Sequence, residues 1–332
     1  CFGLVNENAE ITYQSAIKTK NFSEIEDYLT ELVKQIKDLI SHCPEPENIL
    51  GIGIGAPNGN YYKGTIELAP NLPFKGIIPI KNMLEMLLLN EGWNLKVTIT
   101  NDANAAGIGE MIYGAAKGVN DFIMITLGTG VGSAIVSNGK MIYGHDGFAG
   151  EVGHTIVQIG GRECGCGRKG CLETYSSATG IRRTALKLLQ KDMTPSLLRE
   201  LNQDEINGYT ICEAARKNDA LALECIDLTA KMLAIGLANA VAITSPQKII
   251  FSGGLSQAGD LLLNPFRKYL EENLYPVFRG KIVVEQSALK ENDTAILGAA
   301  ALNYENYEEN TIFQHNCFIV VEFLFCSNDS NQ

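Results

Sequence analysis

Nowhere in the 332 residues do 18 apolar residues run together, so no membrane-spanning helix is expected. Basic residues are also in short supply: 27 Lys and Arg face 38 Asp and Glu, a net charge of −11 at pH 7. Phosphate backbones are bound by clustered Lys and Arg, so this balance argues against a nucleic-acid partner. The opening residues, Cys1-Phe-Gly-Leu-Val-Asn-Glu, lack a basic segment leading into an apolar core, and no secretory signal is expected there. There is no internal repeat, linker or low-complexity tract. Nine cysteines are present, but outside one cluster they are scattered, as Cys43, Cys212 and Cys225 are, without framework spacing. Reduced thiols in a cytoplasmic protein are expected.

What is present is an ordinary globular composition, 45% hydrophobic and 20% charged, on a chain long enough for two domains. Phe2–Val5 and Ile11–Ala16 read as a strand hairpin. Ser23 with Glu26 three residues on reads as a capping box, opening a helix whose apolar face includes Ile25, Leu29, Leu32, Val33, Ile36, Leu39 and Ile40. Strands are expected at Leu50–Gly55, Val97–Thr100, Phe122–Leu127, Ala134–Val136, Lys248–Phe251 and Lys281–Glu285. Helices are expected at Ile80–Leu89, from Asp102, through much of Ala220–Thr244, and from Asp293 to Ala300. That alternation suits an α/β layer architecture.

The densest chemistry lies between Glu151 and Glu173. His154, Cys164, Cys166 and Cys171 supply one nitrogen and three potential thiolates, the ligand set of a closed tetrahedral zinc site. Glycines at 165, 167 and 170 let the backbone curl so that three sulfurs face one point. Such a site leaves no open position for catalysis, so the metal reads as a staple. Three reduced cysteines in a glycine-rich loop are the alternative.

Thr126-Leu-Gly128-Thr129-Gly130-Val-Gly132 is a glycine-rich turn between two strands, where exposed N–H groups can bind phosphate. No Lys follows it and it opens no helix, so it is neither a Walker loop nor a dinucleotide fingerprint; taken alone, a plain hairpin is the better reading. Asn101-Asp102-Ala-Asn-Ala stands at a strand-to-helix junction, where Asp102 reads as an N-cap, as a general base, or as both. Ser252-Gly253-Gly254 is a turn after a strand.

Taken together, Glu-Val-Gly-His, Cys-Gly-Cys-Gly-Arg-Lys-Gly-Cys-Leu-Glu, the glycine turn and Asn-Asp-Ala-Asn-Ala resemble the ROK family over about residues 1 to 303. That family groups bacterial sugar kinases with sugar-responsive repressors. The resemblance implies a two-domain, actin-like (ribonuclease-H-like) ATPase fold of α/β class. It implies an ATP-dependent hexokinase, glucokinase above all, using ATP, Mg2+ and a structural Zn2+. By resemblance Asp102 is the catalytic base, while Asn101, Glu151, His154 and Glu173 hold the hexose. Asn71 and Gly59 resemble further sugar contacts, although Asn71 also reads as a plain turn residue. Gly253 and Gly254 match the turn against adenosine, and Thr126 to Gly132 the second phosphate-binding segment. The alternatives are an N-acylhexosamine or fructose kinase, a repressor's effector domain, and an inactive sugar-binding fragment. A homo-oligomer, dimer or tetramer, is expected.

Two departures from the family stand out. The family opens with a strand and an Asp-x-Gly-Gly-Thr phosphate loop, whereas Cys1-Phe-Gly-Leu-Val resembles the residues just after it. Phe2–Val5 is therefore expected to lack a pairing partner, and turnover to be low. Residues 304–332 match nothing in the family, and Cys317-Phe-Ile-Val-Val-Glu-Phe-Leu-Phe-Cys reads as an aggregation-prone strand. The expected domains are 1–100, lacking a first strand, and 101–303, followed by the tail.

Overall fold

A computed structural model describes residues 1–6, 8–69, 72–191, 193–303 and 317–323. In chain order the first elements are β1 (Phe2–Asn6), β2 (Ile11–Ser15), α1 (Ile25–Ser41), β3 (Ile49–Ala56), the short β4 (Gly59–Asn60), β5 (Thr65–Glu67) and β6 (Ile77–Ile78), and α2 (Ile80–Asn90). Next come β7 (Val97–Asn101), α3 (Asp102–Tyr113), β8 (Phe122–Leu127), β9 (Val131–Ser137), β10 (Lys140–Met141), α4 (Glu173–Ser176), α5 (Ala178–Lys191) and α6 (Gly208–Arg216). The remainder are α7 (Ala220–Thr244), β11 (Lys248–Ser252), α8 (Asp260–Asn273), β12 (Val283–Gln286), α9 (Glu291–Ala301) and β13 (Cys317–Glu322).

The chain divides into two compact units. Unit 1 comprises Cys1–Lys117, Tyr143–Ala149 and Asn292–Gln332; unit 2 comprises Gly118–Ile142 and Gly150–Glu291. The expected boundary near Asn101 falls inside unit 1, because α3 packs on β3 and β7 rather than leaving with the next strand.

Unit 1 is built on a sheet of order β2-β1-β13-β3-β7. β13 is antiparallel to β1 and parallel to β3, which is in turn parallel to β7. Phe2–Val5 is therefore paired on both sides, by β2 and by β13, which overturns the expectation of an open edge. Part of the unassigned tail fills the gap. Phe318, Ile319, Val320, Val321 and Phe323 are all within 1% of full burial, so this apolar run is core. The alternating glycines of β3 give the opposite face room. A Cβ on Gly53 would lie 1.8 Å from the Ala299 carbonyl oxygen, so α9 rests directly on the strand's backbone. On the near face Ile52 and Ile54 join Leu29, Leu32 and Ile36 of α1 in the unit's main apolar cluster. The capping box at Ser23 does not form. The N-cap falls one residue later, at Glu24, with no side-chain cap, and α1 begins at Ile25.

Unit 2 carries a sheet of order β10-β9-β8-β11-β12, antiparallel from β10 to β8 and parallel from β8 to β12. By length and apolarity α7 would pass for a membrane span, but its buried residues, Leu233, Leu237 and Val241 among them, lie in the unit's core.

The position of β13 generates a prediction. Val320→Asp places a carboxylate without a partner in the middle of the sheet, a change expected to cost on the order of 3 kcal/mol or more. Amide exchange should accelerate across β1 and β3 while β8 and β11 keep their protection. Unchanged exchange in β1 and β3 would mean that β13 does not hold them together.

Candidate functional site

In unit 1 the parallel strand β7 delivers Asn101 and Asp102 to its carboxyl end, the edge at which open α/β sheets bind ligands. Asn101, not Asp102, is the N-cap of α3: its side-chain oxygen accepts from the Ala103 N–H at 2.9 Å. Asp102 Oδ1 accepts from the same N–H at 2.8 Å. Both side chains are thus held at a helix start, where the backbone donors favour negative charge. Burial is the larger influence on Asp102 and raises its pKa above the ordinary 3.8, although the Ala103 and Asp102 N–H groups oppose it. Gly59 stands at the same edge, backbone against backbone with Thr100. Asn71 lies outside the described residues.

In unit 2 the glycine-rich turn links β8 to β9, with Gly128 and Thr129 exposed. Its shape is fixed from within by Gly128 N–H donating to the Gly130 carbonyl at 3.1 Å. From outside, Ala178 N–H donates to Gly128 O at 2.9 Å and Thr179 Oγ1 donates to Thr129 O at 3.0 Å. Thr126 pairs with Ser252 across the parallel β8–β11 ladder, which brings the 252–254 turn beside the end of β8. A Cβ on Gly253 would lie 2.8 Å from the Leu127 carbonyl. Beside this turn an open pocket is lined by Ser252, Ser256, Gln257, Gln286 and Ser287. Gln286 and Ser287 escaped the sequence reading. The signal that could have found them is their place just past a strand at the carboxyl edge of the sheet.

The cysteine loop sits in the same unit. Isolated bridges pair Ile156 with Cys171 and Glu163 with Lys169, and Gly170 turns the chain between them at φ +83°. A Cβ there would stand 1.8 Å from the Gln158 carbonyl oxygen. The loop brings all four expected ligand atoms within 4.8 Å of one another. Cys166 Sγ lies 3.7 Å from Cys171 Sγ, and Cys164 Sγ lies 3.7 Å from His154 Nδ1. Bonds of 2.1–2.3 Å in a tetrahedron put ligand atoms about 3.6–3.8 Å apart, so the donor set fits zinc in both kind and spacing.

The thiols are unlike one another. Burial pushes Cys164 well up, helped by the Glu173 carboxylate that accepts a hydrogen bond from the thiol, and burial also raises Cys171. Burial opposes ionisation of Cys166 too, but hydrogen bonds from the Arg168 backbone and guanidinium and from the other two thiols draw it down to about 6.

Glu173, the first residue of α4, accepts from Cys164 Sγ at 2.9 Å through Oε1, which is 3.7 Å from His154 Nδ1. Its other oxygen comes within 2.8 Å of where a Gly130 Cβ would be. Glu151 is exposed, and its neighbours are fixed by Ser133. The Ser133 hydroxyl donates to Gly150 O and accepts from Val152 N–H at 3.0 Å. Within unit 2, then, Glu173, His154, the cysteines and the glycine turn come together as one cluster.

The match to known proteins covers the same ground. The ROK family profile spans residues 1–306. The chain belongs to the ROK family. A glucokinase of Halalkalibacterium halodurans is 36% identical over 84% of this chain and 83% of its own length. A xylose repressor of Caldicellulosiruptor bescii is 32% identical over 90% of this chain and 74% of its own. Among solved structures, a ROK family glucokinase from Streptomyces griseus in complex with glucose and AMPPNP superposes with a TM-score of 0.74 at 32% identity, covering 91% of this chain and 95% of that one. The two units therefore have the actin-like ATPase fold of ROK sugar kinases.

Gly170→Ala tests how far the loop depends on one residue. With φ positive and the Gln158 carbonyl in the way, the variant should lose roughly 2 kcal/mol or more and open the cysteine loop first. Amide exchange at Val157 and Gly170 should accelerate ahead of the rest of unit 2. An unchanged melting temperature would show that the turn tolerates a side chain.

Proposed function

We propose that this chain is an ATP-dependent hexose kinase, with glucose as the favoured acceptor and its 6-hydroxyl the group phosphorylated. The observation that carries the reading is the Asn101–Asp102 pair at the carboxyl end of β7, a carboxylate fixed by a helix cap with its pKa raised by burial. Similarity to glucokinases over most of their length supports it. Asp102 accepts the proton of the 6-hydroxyl as that oxygen bonds to the γ-phosphorus and ADP leaves. Asn101, Glu151 and Glu173 orient the sugar through its hydroxyls, for which carboxylates are strong acceptors. The Gly128–Gly132 turn presents N–H groups to the phosphates, and Gly253 and Gly254 border the adenosine. Mg2+ arrives with the nucleotide, and no described residue is assigned to it.

His154, Cys164, Cys166 and Cys171 would hold one zinc ion, which supplies a structural cross-link and no reactive position. His154 presents Nδ1 to that cluster, which fixes the ring and with it the imidazole's second nitrogen.

The match to xylose repressors favours a second reading, a sugar-sensing effector module. The two readings share the sugar and zinc residues and part at Asp102, which only a kinase needs. A coupled assay over a panel of hexoses, with binding followed by calorimetry, separates them. Turnover of any hexose, in this chain or with an Asp-x-Gly-Gly-Thr segment added upstream, would decide for the kinase; binding with no turnover in either would favour the sensor.

With an Asp-x-Gly-Gly-Thr segment added upstream, Asp102→Asn should reduce kcat by roughly 10²–10⁴-fold while hexose affinity stays within about threefold. Because the base works ionised, activity should rise with pH through a value above 3.8, and this acid limb should vanish in the variant. The raised pKa has the matching sign in folding: Asp102's contribution to stability is fully present below its unfolded value and is lost as pH rises through the folded one. Equal kcat in the variant would place the base elsewhere. Glu151→Ala should weaken hexose binding by about tenfold or more, since hydroxyls lose a charged acceptor.

Elemental analysis should find one zinc per chain. Cys166→Ser should lower both that content and the melting temperature. Carefully reduced wild-type protein without zinc would refute the metal assignment.

A further inference from the structure

Arg162 lies in the cysteine loop, two residues before Cys164, and has no part in the proposed chemistry. Its side chain is partly buried, and burial lowers its pKa from the usual value, though arginine stays charged. Among the described residues no carboxylate pairs with it. A cation drawn out of water without a counter-charge is tolerated only if its N–H groups are used. Here they are used on one target. Nη1 donates to the carbonyl oxygens of Thr174 at 2.8 Å and Gly180 at 3.0 Å, and Nη2 donates to Thr184 Oγ1 at 2.8 Å. The guanidinium stands 4.5 Å from the centre of the Tyr175 ring, whose hydroxyl accepts Arg162's own backbone N–H at 2.9 Å.

All four partners lie between Thr174 and Thr184, on α4 and α5, and the first of them adjoins Glu173. On the loop side, Arg162's carbonyl accepts from Gly170 N–H at 2.8 Å, closing the cysteine loop on itself. One residue thus fastens the loop that carries Cys164 to the helix that carries Glu173, the two groups that meet at 2.9 Å.

We propose that Arg162 is the positioning residue for Glu173: it locks α4 against the cysteine loop and so sets where that carboxylate meets a sugar hydroxyl. The sugar half of this inference rests on the reading of the chain as a hexose kinase. Lysine should not substitute, because a single ammonium cannot reach three acceptors that a planar fork spans.

The test is a double-mutant cycle read by glucose calorimetry on the full chain. Arg162→Lys should weaken glucose binding by about tenfold in the wild-type background. In a Glu173→Gln background the same change should shift affinity by less than about twofold, because Arg162 acts through Glu173. Undiminished affinity in Arg162→Lys, or a full tenfold loss on top of Glu173→Gln, overturns the proposal; a general loss of packing would give that second, additive result. Amide exchange supplies a readout free of sugar. Arg162→Lys should speed exchange at Ser177 and Gly180 together with Gly170, and no change there also overturns the proposal. If wild-type protein binds no glucose, the hexose reading falls and the exchange data decide for Arg162 alone. Should Arg162→Lys fail to fold, Thr184→Val removes one acceptor of the fork and should shift affinity and exchange in the same directions, by less.

Discussion

The Glu173 carboxylate is the contact through which the parts of unit 2 become one site. One oxygen lies 2.9 Å from Cys164 Sγ, and the other lies 2.8 Å from where a Gly130 Cβ would stand. A glycine-rich turn alone is a hairpin, and a cysteine loop alone is a metal staple. The Glu173 carboxylate lies between them and adjoins both. The hydrogen bonds from Ala178 and Thr179 back to the turn reinforce the link, since both donors come within six residues of Glu173. Rigidity of this kind is what phosphoryl transfer asks of a protein, because positioning and fixed charge supply most of the rate.

That logic bears on why kinases and repressors share so much of this chain. On the proposed reading, the cysteine loop, Glu151 and Glu173 would read the sugar in kinase and repressor alike, whether recognition leads to chemistry or to a signal. On that reading the partly buried carboxyl of Asp102 at the end of β7 would add a proton acceptor, which only chemistry needs. Function would then divide at Asp102 in unit 1, while the most distinctive residues of the sequence, in unit 2, would be neutral on the matter.

How much could be read from the sequence depended on how local the determining interactions are. The ligand set from His154 to Cys171 spans 18 residues and closes on itself, so composition and glycine spacing were enough. β8, its turn and β9 are likewise neighbours in sequence. Asp102 could be singled out, yet the capping role belongs to Asn101, because both side chains reach the Ala103 N–H and only geometry ranks them. α1 starts one residue late for a related reason: Ser23 and Glu26 fit the pattern of a box, but the N-cap is Glu24 and neither is used. Two features were beyond local patterns. Arg162 looks like any surface arginine until its three acceptors, contributed from 12 to 22 residues on, are seen to converge. β13 reads as an apolar hazard because its partners on both sides lie near the opposite end of the chain.

That last pairing sets a timetable for synthesis. Without Cys317–Glu322 the first sheet is two separate pairs, β1 with β2 and β3 with β7. About 260 residues separate Ala56 from Cys317, and at roughly 5–20 residues per second the ribosome needs on the order of 10–50 s to add them. During that interval all of unit 2 emerges and can fold, while β1 and β3 wait with an edge each and an apolar face uncovered. Strands made early are thus completed late, and a nascent-chain chaperone would find its longest-lived target in β1 and β3.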